Sequence, residues 1–167
     1  MLFRSELTSA LDDAVARFDV EKLQDVGSSY LAVSGLSRPR IDHEKRAVDC
    51  GLAMLQVMRR FNQKYNVDLS LDIGLHAGPL TTGVVTGERL SFDIWGKTIN
   101  IARGIHESPK RNVIQVSAPI VEALRGLYSF HPLPAMAVKG LGEMAVWELG
   151  GPIEPAEPTE LRETAHR

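Results

Sequence analysis

The stretch that decides the fold is FDIWGKTIN, residues 92–100, because a strand pattern changes there into a helix pattern. Residues 82–94 predict a β-hairpin that turns near Gly87, and residues 97 to about 106 predict a short helix. Asp93 therefore lies near the end of a hairpin. Asn100 lies inside a helix, where its side chain competes with backbone hydrogen bonding. An asparagine at such a position suggests a functional role.

Helices and strands alternate along the rest of the chain. Helices are predicted over residues 6–18 and 42–65, and another runs from an N-cap at Ser117 to about residue 126. A first hairpin is predicted over residues 20–34, and single strands over residues 69–75, 112–116, 135–139 and 144–149. This order predicts a mixed sheet covered by helices, an α/β or α+β fold of the split βαβ type. We expect residues 1–150 to form the domain and the Pro- and Glu-rich residues 151–167 to be a disordered tail.

Composition limits the classes of function. The 167 residues correspond to one domain, and 19 basic against 21 acidic residues give a net charge of -2. This balance is not typical of a polyanion-binding surface, so nucleic acid is not an expected partner. Cys50 is the single cysteine, which excludes a disulfide framework and a thiolate metal site within one chain. No apolar run approaches the ~18 residues of a bilayer span. We expect a cytoplasmic domain, free or as the cytosolic part of a larger or membrane-attached protein.

Four stretches are more specific than the periodicity: VEKLQDVGSSYL at residues 20–31, IGLHAGP at 73–79, FDIWGKTIN at 92–100 and VKGLG at 138–142. In this order they resemble the class III adenylate/guanylate cyclase catalytic domain over roughly residues 6–149. The resemblance implies a ferredoxin-like βαββαβ-type fold and a head-to-tail dimer, with a purine nucleoside triphosphate bound between the subunits. It also implies Mg or Mn held by two aspartates. The implied reaction is attack of the ribose 3′-oxygen on the α-phosphate with loss of pyrophosphate, which yields a cyclic nucleotide for signalling.

The metal-binding half of the family pattern is missing from this sequence. Ser28 follows the hairpin glycine where the family has a metal aspartate, and a hydroxyl is a weak ligand for a hard dication. The other metal aspartate belongs to an initial DxxGFT-like strand, which residues 1–11 do not match. Asp25 lies nearby, but its ordinary interpretation is a solvated strand residue. His76, without metal-binding neighbours, is expected to be structural. We therefore expect no metal ligand from this chain.

The missing initial strand has a structural consequence. In the family that strand is central in the sheet, so its loss leaves backbone groups unpaired beside the core. We expect a ferredoxin-like domain without its first central strand. The gap would be met by a rearranged sheet, by a strand exchanged between subunits, or by a tight dimer that covers it.

The base-recognition half of the pattern is better preserved. Gln24 stands where typical adenylyl members have lysine and guanylyl members have glutamate, and the partner aspartate is retained as Asp93. An amide both donates and accepts, so this pair fits adenine without excluding guanine. Asn100 occupies the position of the asparagine that orients the ribose. The ordinary alternatives are a surface strand residue for Gln24, a turn or capping aspartate for Asp93 and an exposed helix residue for Asn100.

The phosphate-binding groups match the family in part. Lys139 fits the turn lysine that reaches the triphosphate, whereas the second lysine of the KGKG turn is Leu141 here. The transition-state arginine of the family falls on Gly104, and Arg103 stands one position early, ~100° around a helix. The candidate catalytic residues are thus Asn100 and Arg103, and the candidate nucleotide-binding residues are Gln24, Asp93, Asn100 and Lys139.

Three interpretations follow from this partial match. In the first, the chain is a degenerate cyclase domain that binds nucleotide, as a homodimer or as a heterodimer with a metal-binding cyclase domain, and is weak or inactive alone. In the second, it is a catalytically dead pseudo-cyclase that serves as a dimerisation or regulatory module. In the third, the complete protein carries the initial strand with its aspartate, which restores one of two metal ligands and makes weak activity credible.

Overall fold

The computed structural model describes residues 2–26, 29–86, 90–106 and 110–154, and within them all side chains except those of residues 2, 24–26, 81–86 and 90–95. The helices are α1 (Leu2–Arg17), α2 (His43–Tyr65), α3 (Lys97–Ile105) and α4 (Ala118–Leu124). The strands are β1 (Glu21–Val26), β2 (Ser29–Val33), β3 (Ile73–Leu75), β4 (Thr81–Thr86), β5 (Leu90–Trp95), β6 (Ile114–Ser117), β7 (Tyr128–Pro132), β8 (Met136–Val138), β9 (Gly142–Met144) and β10 (Val146–Pro152). The predicted mixed α+β fold is confirmed. A bilayer span would need a longer run of apolar residues than any described helix offers.

A four-stranded sheet with the strand order β3-β6-β10-β7 organises the fold. β3 runs parallel to β6, while β10 is antiparallel to both β6 and β7. The hairpins β1-β2, β4-β5 and β8-β9 each form a separate two-stranded sheet. Helices α2 and α4 cover the four-stranded sheet by packing Val48 and Ile120 against Ile114 and Val116.

Two smaller apolar clusters attach hairpins and helices to this core. The first joins α1, α2 and β2, and its buried members are Leu11, Ala14, Val15, Val20, Cys50 and Met54. The second joins α3, β8 and β10, and its buried members are Ile101, Ile105, Val138 and Val146. Burial of one aliphatic side chain is worth ~1.5–3 kcal/mol, so a few such contacts can hold a hairpin in place without a shared ladder.

The β1-β2 hairpin is separate from the four-stranded sheet. Among the described residues, no ladder joins this hairpin to β3, the edge strand of the larger sheet. Apolar side chains nevertheless bridge the two parts, since Leu71 and Ile73 pack in the same cluster as Tyr30 and Ala32. This region, defined by Tyr30, Ala32, Leu71 and Ile73, is termed the seam.

β3 is shorter than the predicted strand over residues 69–75 because side chains bind the backbone that precedes it. The Asn62 amide donates to the Leu69 carbonyl oxygen at 2.8 Å and accepts from the Leu69 N–H at 3.0 Å. The N–H of Leu71 donates to Asn112 Oδ1 at 2.8 Å. These backbone groups are satisfied without a strand partner, so the ladder with β6 begins only at Ile73.

The end of the chain differs from the prediction in two ways. β7 was not predicted, because it is a short edge strand ending in Pro132, and proline is tolerated at an edge where it removes no ladder donor. The predicted strand over residues 144–149 is divided between β9 and β10, and β10 continues to Pro152, which pairs with Tyr128. Residues 155–167, most of the predicted tail, and the predicted turn at Gly87 lie outside the described residues.

Candidate functional site

Helix α3 carries Asn100 and Arg103 on its exposed face. It follows β5 directly through Gly96, whose φ of +135° is rarely adopted by residues with a side chain. Lys97 is also exposed, and residues three apart are neighbours on a helix surface. The buried face consists of one threonine and three isoleucines: Thr98, Ile99, Ile101 and Ile105. The exposed face, termed the α3 stripe, therefore holds an amide between two cations: Lys97, Asn100 and Arg103.

Gly104, at the position of the family's transition-state arginine, has no room for a side chain. A Cβ at Gly104 would lie 2.8 Å from Val138 Cγ1, closer than real Cβ contacts. Val138 is buried between α3 and β10, so it cannot move aside into solvent. Arg103 is on the exposed side of the helix with Asn100, whereas Gly104 faces β8.

Lys139 is exposed in the turn that joins β8 to β9. The turn is tight, since the N–H of Leu141 donates to the Val138 carbonyl oxygen at 2.9 Å and Gly140 has a φ of +80°. Leu141 packs against the cluster shared by α3, β8 and β10. The residue that replaces the family's second lysine is thus an apolar anchor, and it fixes the turn that presents Lys139 immediately after a strand in contact with α3.

Gln24 lies in β1 and Asp93 in β5, but their side chains lie outside the described residues. The backbone of Gln24 pairs with Leu31 next to an irregularity in the register, and Asp93 pairs with Gly83. Ser28 also lies outside the described residues. The pairing of Gln24 with Asp93 as a base-reading unit therefore stays a prediction.

His76 follows β3 and has a hydrogen-bond partner within the protein. Its Nδ1 lies 2.6 Å from Ser117 Oγ, and Ser117 is fully buried. Burial lowers the pKa of His76, and the positive charge of Lys97 lowers it further, so the ring is neutral at physiological pH. Ser117 occupies the predicted N-cap position of α4, yet its hydroxyl makes no capping hydrogen bond.

Two contacts that shape this site were not predicted from the sequence. Thr98 Oγ1 donates to the Pro79 carbonyl oxygen at 2.6 Å, which ties the first turn of α3 to the segment after β3. A Cβ at Gly78 would lie 2.7 Å from the same hydroxyl oxygen. The Gly78-Pro79 pair signals an unusual backbone, but nothing in the sequence identifies Thr98 as its partner.

The side chains that commonly bind metals are not clustered where the structure describes them. Among the described side chains, which do not include those of Asp25 and Asp93, no group of three or more His, Cys, Asp or Glu is placed to hold a metal ion. Asp49, a partly buried carboxylate, is already engaged, because Lys45 donates to it at 2.6 Å and the Tyr128 hydroxyl also donates to it. A hard dication prefers several carboxylate oxygens, which this engaged carboxylate alone does not offer.

Known proteins with similar sequences are nucleotide cyclases. Residues 3–151 match the family model of the adenylate and guanylate cyclase catalytic domain. An adenylate cyclase of Mycobacterium tuberculosis is 34% identical over 160 residues, which is 96% of this chain and 36% of that protein. A membrane guanylyl cyclase of Dictyostelium discoideum is 30% identical over 145 residues, 87% of this chain and 9% of that protein. The chain thus spans a minor part of the length of these relatives.

Solved cyclase domains share the fold. The guanylate cyclase domain of RhGC from Catenaria anguillulae, in complex with GTP, superimposes with a TM-score of 0.82 at 28% identity, covering 89% of this chain and 82% of that one. The catalytic core of a rhodopsin-guanylyl cyclase with converted specificity, in complex with ATPαS, gives 0.79 at 28% identity, with 88% and 80% covered. The adenylyl cyclase CyaB from P. aeruginosa gives 0.83 at 16% identity, with 92% and 81% covered, which shows the fold alone.

Proposed function

Since the chain belongs to the adenylate and guanylate cyclase catalytic domain family, we propose that it is a degenerate member of it: a domain that binds a purine nucleoside triphosphate but makes little or no cyclic nucleotide by itself. It keeps the half of a shared site that contacts base, ribose and phosphate. The half that holds metal would have to come from a partner subunit or from a segment outside this sequence.

The observation that carries this proposal is the α3 stripe beside the Lys139 turn. Lys97, Arg103 and Lys139 are exposed, and among the described side chains none of them forms an ion pair. By contrast, Lys110 and Arg111 on a neighbouring segment pair with Glu148 and Asp68. Uncompensated cations on one surface raise the local concentration of a polyanion such as a triphosphate.

Each group of this surface has a distinct task in nucleotide binding. The Asn100 amide can donate to a ribose oxygen, and Lys139 can contact a phosphate as a point charge. Arg103, on the same side of α3 as Asn100, can reach phosphate with a bidentate guanidinium. Gln24 and Asp93 would read the purine edge. One structural relative was solved with GTP and another, whose specificity was converted, with ATPαS, which supports a purine nucleoside triphosphate as the ligand.

Weak turnover follows from the groups that the site lacks. The family generally uses Mg or Mn, which lowers the pKa of the attacking hydroxyl and neutralises phosphate charge. Ser28 replaces one carboxylate ligand in the sequence. The position of the transition-state arginine is closed by Val138. Loss of one such preorganised donor costs ~10²–10³ in rate, so the two defects together leave little activity.

A binding experiment with a matched control tests the nucleotide site. Fluorescent ATP and GTP analogues should bind saturably, and Asn100→Ala should raise the Kd about tenfold, the equivalent of one lost hydrogen bond to the ribose. Lys139→Ala should raise the Kd by a similar factor. Arg60→Ala removes an exposed cation from α2 and should leave the Kd unchanged. No saturable binding at millimolar analogue overturns the proposal.

A turnover experiment tests the missing half-site. With manganese, this chain alone should form cyclic AMP or cyclic GMP far more slowly than ~1 per second, an ordinary enzyme's rate. Mixing it with a cyclase domain that keeps its metal aspartates but has lost its base-reading residues should raise turnover, although the absent transition-state arginine keeps the rate well below that of an ordinary cyclase. Asn100→Ala in this chain should reduce the gain. Ordinary turnover by this chain alone refutes the assignment.

The second candidate function is a dimerisation or regulatory module without nucleotide binding. The observation that favours it is Leu141, because a residue at a phosphate-contact position of the family has become part of the apolar core. A dimer in solution combined with no analogue binding would select this function.

A further inference from the structure

We propose that His76 is a positioning residue for the nucleotide, which sets the first turns of α3 and with them Asn100. The inference rests on the proposed function, because it concerns how the nucleotide-binding surface is held in place. His76 lies directly after β3, close to Ser117 at the end of β6 and to Lys97 at the start of α3.

The first contact that supports this role is the hydrogen bond to Ser117. His76 Nδ1 and Ser117 Oγ are 2.6 Å apart, and Ser117 has no exposed surface. Ser117 has the extended backbone of an N-cap residue, with φ of -91° and ψ of 170°, but its side chain does not cap α4. A hydroxyl at an N-cap normally accepts from the helix backbone. Here it is directed to the histidine, which fixes the ring relative to β6.

The second observation places the other ring nitrogen near the first turn of α3. A Cβ at Gly78 would lie 3.5 Å from His76 Nε2 and 2.7 Å from Thr98 Oγ1, so Gly78 is close to both the ring and Thr98, and a side chain at this position would have no room. Thr98 is nearly buried and donates to the Pro79 carbonyl oxygen at 2.6 Å. Because Thr98 precedes Asn100 by two residues on the same helix, a shift of the ring displaces the first turn of α3.

Because His76 can be protonated, its positioning role predicts that nucleotide affinity depends on pH. Among the described residues, Lys97 of α3 is the charged group near the ring, and the contacts from β6 and from the Gly78-Pro79 segment are uncharged. Protonation places a second positive charge beside Lys97 in a half-buried site. A ring that positions α3 should then weaken nucleotide binding on acidification, whereas a ring that acts as a phosphate-binding charge should strengthen it.

Three variants test the role at neutral pH. His76→Phe keeps the ring volume and removes both nitrogens, Ser117→Ala removes the partner, and His76→Asn keeps a polar atom near the place of Nδ1. We expect the first two to raise the Kd of an ATP or GTP analogue about tenfold and His76→Asn to stay within about threefold of the wild type. The matched control is Tyr128→Phe, which removes another buried hydroxyl hydrogen bond, to Asp49, away from α3. It should lower the melting temperature without changing the Kd.

Two further readouts separate positioning from general stability. Amide hydrogen exchange over residues 97–100 should accelerate in His76→Phe and not in Tyr128→Phe. Between pH 7.5 and about 5, affinity should fall more in the wild type than in His76→Asn, since titration of the phosphates is common to both. If the wild type binds but His76→Phe has wild-type affinity or exchange, the positioning role is wrong and the proposed function stands. If the wild type does not bind, both are wrong.

Discussion

The junction around α3 and the seam between β2 and β3 hold neighbouring elements together in different ways. Around α3 three glycines have no room for a Cβ, because the backbone of α3 lies against Gly74 and side chains lie against Gly78 and Gly104. At the seam, apolar side chains meet, but no ladder forms among the described residues. Close packing and directed hydrogen bonds fix positions within a fraction of an ångström, whereas apolar contact is non-directional.

This difference parallels the two halves of the cyclase pattern. The motifs IGLHAGP and FDIWGKTIN form the close-packed junction, and the residues predicted to contact ribose and phosphate lie on it. The seam adjoins the first hairpin, at whose turn Ser28 stands in the sequence where the family has a metal aspartate. A binding surface requires groups held by a rigid support. The junction offers such a support to the residues proposed to contact the nucleotide.

The largest expected effect is at the junction, for Gly74→Ala. A Cβ there would lie 2.4 Å from the Ala102 carbonyl oxygen and 2.8 Å from the His106 nitrogen, and backbone atoms cannot swing aside. We expect a loss of about 3 kcal/mol or more in the free energy of unfolding, measured with urea. The control is Gly51→Ala in α2, whose Cβ would meet the ends of two side chains, Ile114 Cδ1 at 3.1 Å and Ile73 Cδ1 at 3.7 Å, and no backbone atom among its nearest neighbours. It should change stability by less than about 1 kcal/mol, because alanine also favours the helix. Equal losses would mean that the junction is no tighter than the rest of the core.

A smaller effect is expected when the family's arginine is restored by Gly104→Arg. The new side chain must displace Val138 from its cluster, at a cost of about 2–3 kcal/mol in unfolding free energy. Val138→Ala should recover part of this loss in the double variant, although it is destabilising alone. Arg103→Ala, on the exposed side of α3, should stay within about 0.5 kcal/mol of the wild type. A stable Gly104→Arg protein with increased turnover would show that the position is open.

The fold could be predicted from the sequence where periodicity or a motif was strong. α2 and the two hairpins lie within one or two residues of their predicted bounds, because long amphipathic spacing and turn residues are local signals. β3 was predicted too long, since the Asn62 amide takes the backbone of Leu69 by a tertiary contact. β7 was missed because an edge strand of five residues carries little pattern.

The site could be predicted as a list of positions but not as an arrangement. The motif spacing identified Asn100 and Lys139, and the structure places them on an exposed helix face and an exposed turn. Only the structure explains why residue 104 is a glycine, because Val138, which leaves no room for a side chain there, is 34 residues away in sequence. The same holds for Ser117, which pattern reasoning assigned to the cap of α4 and which bonds His76 instead.

At the seam, amide hydrogen exchange gives the next largest effect. The N–H of Ile73 donates to the Val113 carbonyl oxygen at 3.1 Å on the β6 side. Because successive strand residues point their N–H groups to opposite edges, the Gly74 N–H of β3 faces away from β6 and has no ladder partner in the described structure. It should exchange about 100-fold faster than the amides of β6, which lies between two strands. Equal protection would mean that another strand or a second subunit covers the edge, and its dependence on protein concentration would identify the subunit.

The smallest expected effect concerns Cys50, which lies in the apolar cluster next to the seam. Burial raises the pKa of this thiol to about 11, from an ordinary value near 9. The folded state keeps its proton where the unfolded state loses it, so this contribution to stability is complete below pH 9 and is lost as the pH rises toward 11. We expect the wild type to lose about 1 kcal/mol more than Cys50→Ala between pH 8 and 10, measured by urea unfolding. Tyr128, whose pKa burial also raises, titrates equally in both proteins. Parallel pH profiles, together with thiol labelling at the rate of an unfolded chain, would mean that the cluster beside the seam opens freely to water and is far looser than the junction around α3.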